Sequence, residues 1–151
     1  MNWFRRIDAP LSPAEPARRL AAARLIRDFV DGKITNDELD DGFPRGPGDQ
    51  ALNGVFEVVW LTYDDLYEHR FQGPAKAKAA LLFCARFLES DAPYLWQAPP
   101  WPVRLVATVG GIATLGLLRR LWDPPPDYWP FPDVESVGPE GVPPELREHG
   151  R

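Results

Sequence analysis

The chain has 151 residues, 44% of them hydrophobic and 12% aromatic, with a formal net charge of -5. That is about one domain, able to bury roughly two-thirds of the surface of its unfolded chain, and too apolar to be disordered despite 18 prolines and 12 glycines. The acidity excludes a coat for nucleic acid, where phosphate neutralisation supplies the affinity, and a single cysteine, Cys84, excludes an internal disulfide framework and fits a reducing compartment.

Residues 1–11 read as an N-terminal arm: Arg5 and Arg6 have no apolar run behind them, so this is not a secretory signal. Ser12-Pro13-Ala14-Glu15 has the form of a helix start, although Pro16 moves the first turn to itself if Ser12 is not the cap. The helix should run to Asp31, bury Leu25, Ile26, Phe29 and Val30, and end at Gly32. Arg18, Arg19, Arg24 and Arg27, interleaved with Asp28 and Asp31, read as its solvated face. Thr35-Asn36-Asp37-Glu38 is a capping box flanked by a staple of Ile34 and Leu39, giving a short helix closed by Gly42.

After the turn-rich stretch 43–48, Asp49 is a suitable N-cap for a long aromatic helix reaching Phe71. Phe56, Trp60, Tyr63 and Tyr67 fall at i, i+4, i+7 and i+11, with Leu52, Val59 and Leu66 widening the stripe. The opposite side carries Glu57, Asp64 and Glu68, with Asp65 and His69 one turn apart beside them. Gln72-Gly73-Pro74 stops this helix, and the next, from Ala75 to about Glu89, should pack antiparallel to it through Leu81, Cys84 and Leu88. Ser90 to Pro102 reads as an aromatic loop with Tyr94, Trp96 and Trp101.

Val103 to Trp122 is the last apolar element. Its run from Leu105 to Leu118 is shorter than the ~20 residues a membrane span requires, so a buried central helix is expected, with Gly110, Gly111 and Gly116 allowing close approach. Residues 123–133 form a Pro/aromatic segment folding back over the helices, and 134–151 a mobile tail. The expected fold is therefore all-α: a single-domain helical bundle spanning 12–122, of four main helices plus one short helix, without strands.

The chain carries no nucleophile elbow, phosphate-binding loop, Gly-x-Gly-x-x-Gly, His-Glu-x-x-His or paired cysteines. Cys84 sits among Leu81, Leu82, Phe83 and Leu88 and reads as a small buried hydrophobe. The acidic side of the 50–71 helix has three readings: a solvated face, a partner surface, or a metal site on Asp64, Asp65, Glu68 and His69, which would still need a ligand from a second helix. No cofactor is implied. Partner-binding candidates are Glu57, Asp64, Asp65 and Glu68 on that side, and Tyr128, Trp129 and Phe131 in the proline-rich segment.

The Asn36-Asp37-Glu38-Leu39 to Phe43-Pro44 stretch, the Trp60 to His69 helix and Trp129-Pro130-Phe131 resemble features of small bacterial helical proteins to which no activity is attached. The resemblance spans roughly half the chain and implies a bacterial single-domain helical protein. It transfers no catalytic residue, ligand or partner. The expected function is that of a small acidic, cytoplasmic, non-enzymatic protein that binds another protein, as an immunity-type inhibitor or a regulator. The alternatives are a metal-binding or hydrolytic bundle using the acidic face of helix 50–71, and a membrane-peripheral protein using helix 103–118. Nucleic acid is not an expected partner.

Overall fold

The computed structural model describes residues 5–10, 12–64, 66–97 and 126–147. It is mostly helical: α1 Pro16–Val30, α2 Asn36–Gly42, α3 Gln50–Trp60 and α4 Ala75–Leu88. A helical bundle is what the pattern of apolar positions asked for, and one forms. The central helix expected over 103–122, with Gly111 and the run from Leu105 to Leu118, lies outside the described residues. Among the described residues, no helix is long and apolar enough to cross a membrane.

Proline is tolerated at the first helical position because its missing N–H would be unsatisfied there anyway, and α1 accordingly begins at Pro16. Ser12 works elsewhere: its hydroxyl accepts from the Gln50 amide at 2.9 Å, at the start of α3. The Thr35 capping box forms in full, with Glu38 reaching back to the Thr35 amide at 2.8 Å. Gly48, at φ 110°, turns the chain so that Asp49 can cap α3 through the Ala51 amide at 3.0 Å.

Of the arginines of α1, Arg19 departs from the expected solvated face. Arg19 and Asp49 are 2% and 1% exposed and form a bidentate pair, Nε to Oδ2 at 2.5 Å and Nη2 to Oδ1 at 3.0 Å. Asp49 Oδ2 also accepts from the Glu15 amide at 2.9 Å, while Arg19 Nη1 donates to the Ala92 carbonyl at 2.9 Å. The pair therefore ties the starts of α1 and α3 to the loop after α4. Arg18 donates to the Pro44 carbonyl at 2.9 Å, Arg27 pairs with Glu89 at 2.7 Å, and Arg24 stays exposed.

α3 ends eleven residues before the expected Phe71. The Thr62 hydroxyl bonds to the Val59 carbonyl at 2.6 Å, Asp64 Oδ1 accepts from the Leu66 amide at 2.9 Å, and Asn36 takes the Asp64 and Tyr67 carbonyls. These local bonds compete for the backbone groups that a continued helix would pair. The aromatic stripe is consequently divided: Phe56 is buried, Tyr63 and Phe71 pack edge-on to Phe29, and Trp60 and Tyr67 are exposed. α4 packs chiefly on α1 rather than antiparallel on α3.

Two further expectations are corrected. Arg5–Arg6 and Trp96–Gln97 pair as short antiparallel strands, so the arm is hydrogen-bonded to the aromatic loop. Residues 134–147, expected to be a mobile tail, lie on the bundle instead: Val137 is buried, Val142 and Leu146 pack against the core, and Arg86 holds Glu140 at 2.9 Å and the Gly141 carbonyl at 2.6 Å. Phe131 explains this docking, since it is 1% exposed and wedged 5.2 Å from Phe83 and 5.3 Å from Phe87, ring centre to ring centre.

Cys84 is buried in this core, and burial pushes its thiol up to about 12. The native protein at pH 8 should therefore leave a disulfide reagent unreacted, and the single thiol should titrate in full once denaturant is added. Rapid reaction of native protein would place Cys84 at the surface.

Candidate functional site

The surface that collects the sequence-predicted candidates is the turn that follows α3. Glu57 is half-buried on α3 itself, whereas Asp64 and Glu68 lie exposed in the turn, so no continuous acidic ridge forms along one helix. Asp65 lies outside the described residues. Glu68 Oε1 accepts from the Thr35 hydroxyl at 2.9 Å and so joins the turn to the start of α2.

Asn36, which sequence reasoning passed over, is the residue that shapes the site. It is 1% exposed, and its carboxamide donates to the Asp64 and Tyr67 carbonyls, both at 3.2 Å, while its Oδ1 accepts from the His69 amide at 2.7 Å. Its own amide donates to the His69 carbonyl at 2.9 Å. The side chain's donors and acceptor are thus all used in fixing the turn. The one signal in the sequence was an asparagine at the first helical position, just inside a capping box, where it neither caps nor favours the helix.

His69 closes the turn from the other side. Nε2 lies 2.8 Å from the Asp64 carbonyl and Nδ1 2.8 Å from the Arg70 carbonyl. Two carbonyl oxygens facing the ring favour its doubly protonated form, because only a protonated nitrogen donates to each. Among the described residues, no group of three or more His, Cys, Asp or Glu could hold an ion. The Arg70 carbonyl, opposed by partial burial and helped by the Asp64 carbonyl and the Asp64 and Asp37 carboxylates, raises the His69 pKa above its ordinary 6.5.

Held in this way, the turn displays apolar side chains. Trp60, Leu61, Leu66 and Tyr67 are 47%, 65%, 86% and 57% exposed. Trp60 stands between two hollows. One, of about 680 Å³, runs along α3 past Asn53, Phe56 and Glu57 to Tyr94 and Trp96; Arg45 lies over the Phe56 ring at 4.1 Å and pairs with Asp40 at 3.2 Å. The other, of about 310 Å³, is walled by Asp37, Asp40 and Asp41 of α2 with Tyr63.

The candidates in the proline-rich segment are placed differently. Trp129 is 7% exposed and Phe131 1%, and Tyr128 is half-buried beside Trp96. Trp129 and Phe131 are therefore parts of the core, Phe131 filling the aromatic gap that Phe83 and Phe87 of α4 leave.

No protein-family model, curated protein or solved structure matches this chain.

Proposed function

We propose that the protein acts by binding another protein, and that residues 60–64 and 66–68 with their acidic rim are the surface that a basic partner meets. One observation carries this reading: four of the six large hydrophobic side chains exposed among the described residues sit within eight positions, Trp60, Leu61, Leu66 and Tyr67. Single exposed leucines are ordinary, whereas an apolar patch rimmed by charge marks an interaction surface. The rim supplies Asp37, Asp41, Asp64 and Glu68, and the whole chain at -5 would steer a basic protein toward it. An immunity-type inhibitor or a regulator fits this description. A bacterial cytoplasm is the setting we favour, because a free buried thiol persists in a reducing compartment.

The test is recovery of a stoichiometric basic partner at moderate salt, followed by titration of that partner with Trp60→Ala and Leu66→Ala variants. An exposed tryptophan at the centre of an interface is a common hot spot, so Trp60→Ala should weaken binding by about 30-fold or more at unchanged thermal stability. Equal binding by both variants would sink the assignment of this surface. A protein that purifies alone and turns over a small molecule would sink the class of function.

A further inference from the structure

We propose that the hollow along α3 seats an arginine side chain of the basic partner, its guanidinium lying flat on the Trp60 indole beside Asp40. The inference rests on the function proposed above and names the contact by which that partner is chosen. Gln50, Asn53, Gly54 and Glu57 recur at i, i+3, i+4 and i+7, so they line one face of α3 over about 10 Å. The hollow beside that face holds about 680 Å³, a size shared with ordinary ligand pockets.

Its walls are fixed before anything binds. The Asn53 carboxamide is closed on the Gly46 amide and carbonyl, both at 3.0 Å. Arg45 donates to the Asp40 carbonyl at 3.1 Å, pairs with the Asp40 carboxylate at 3.2 Å and covers the Phe56 ring. Tyr94 forms the floor, pressed so closely on Gly54 that a Cβ there would stand 2.0 Å from its hydroxyl. Trp60 is the open wall: it is 47% exposed and meets no ring or cation among the described residues. Of the aromatic side chains, an indole offers a cation the best face.

Charge selects what lies on that face. Trp60 and Asp40 also border the smaller hollow, together with Asp37 and Asp41. Among the described residues that line the two hollows Arg45 is the one cation, and Asp40 offsets it. The exposed carboxylates of Asp37 and Asp41 then draw a cation toward Trp60 and repel an anion. A guanidinium suits the place better than an ammonium, because it is planar and weakly hydrated and can stack on the indole while its N–H groups reach a carboxylate at the edge.

The test titrates the full chain at low salt with N-acetyl-arginine amide and follows the Trp60 indole N–H by NMR, assigned with Trp60→Phe. Two relatives of the probe separate the contributions: the citrulline amide keeps the shape without the charge, and the lysine amide keeps the charge without the plane. The arginine amide should saturate the Trp60 signal in the millimolar range, about tenfold more tightly than the citrulline amide and more tightly than the lysine amide. Asp40→Asn should erase the advantage over citrulline at unchanged melting temperature, since it deletes a carboxylate and leaves the Arg45 charge unopposed. An indole signal that does not shift, a relative that binds as well as the arginine amide, or a full advantage retained in Asp40→Asn overturns the inference. A basic partner that needs Trp60 while the arginine amide leaves the indole signal still would sink this contact alone. An arginine amide that binds as described, with no protein partner recovered, removes the protein-binding function and keeps the guanidinium site.

Discussion

Asp49→Ala is expected to remove about 3–5 kcal/mol of stability. The carboxylate accepts from Arg19 Nε and Nη2, from the Glu15 amide and from the Ala51 amide. Deleting it leaves a guanidinium that is 2% exposed with, among the described residues, the Ala92 carbonyl and the Phe87 ring, 5.3 Å away, as company. The cap of α3 is lost in the same step, which alone costs about 1 kcal/mol. Asp49→Asn can keep the cap and should lose less, while Arg19→Met with Asp49→Ala should lose less than the sum of the two single changes because no buried charge is stranded.

Urea unfolding checks this as a lower midpoint at unchanged slope. The pH dependence has a definite sign. Burial alone would raise the Asp49 pKa, but the Arg19 guanidinium and the Glu15 and Ala51 amides outweigh it and hold the carboxyl below its ordinary 3.8. Stability from the pair is therefore present above that value and lost as pH falls through the folded one. A loss below about 1 kcal/mol for Asp49→Ala would show that the pair behaves as a solvated surface bridge.

Gly54→Ala should also destabilise, by about 1–3 kcal/mol, although alanine is worth about 1 kcal/mol more than glycine inside an unobstructed helix. The reason is Tyr94: a Cβ on Gly54 would lie 2.0 Å from its hydroxyl oxygen and 2.6 Å from Cζ. Neither ring nor helix can yield easily, since Tyr94 is 6% exposed and Gly54 is on a helix with Leu52 and Val55 fully buried on either side. Removing the hydroxyl relieves the shorter contact, so Gly54→Ala should cost less in a Tyr94→Phe background. The sign decides the matter, because a gain in melting temperature for Gly54→Ala alone would mean that Tyr94 does not press on α3.

How much of this could be read from residues alone depends on how far apart the deciding partners are. The Thr35–Glu38 box and the Asp49 cap are contacts within four residues, and both were legible. Arg19 was not: it looks like Arg18, Arg24 and Arg27 until Asp49, thirty positions away, is brought beside it. The end of α3 was hidden for a related reason. Its aromatic period continues to Tyr67, and only Asn36 and the side chains of Thr62 and Asp64 divert the backbone at Trp60. At the candidate site the acidic residues were visible, but their division between α3 and a turn was not. That division changes a helical ridge into an apolar patch with a charged edge.

Placing Phe131 in the gap between Phe83 and Phe87 also fixes an order of events during synthesis. The chain leaves the ribosome from its N-terminus, so α1 and α4 can meet well before residues 129–137 emerge. Until then the Phe83 and Phe87 rings lack the Phe131 ring, and Trp96 lacks the Phe131 carbonyl that its indole bonds at 3.1 Å. A chain cut before Tyr128 should therefore melt below the full-length protein, because Phe83 and Phe87 are left without the ring that closes their gap.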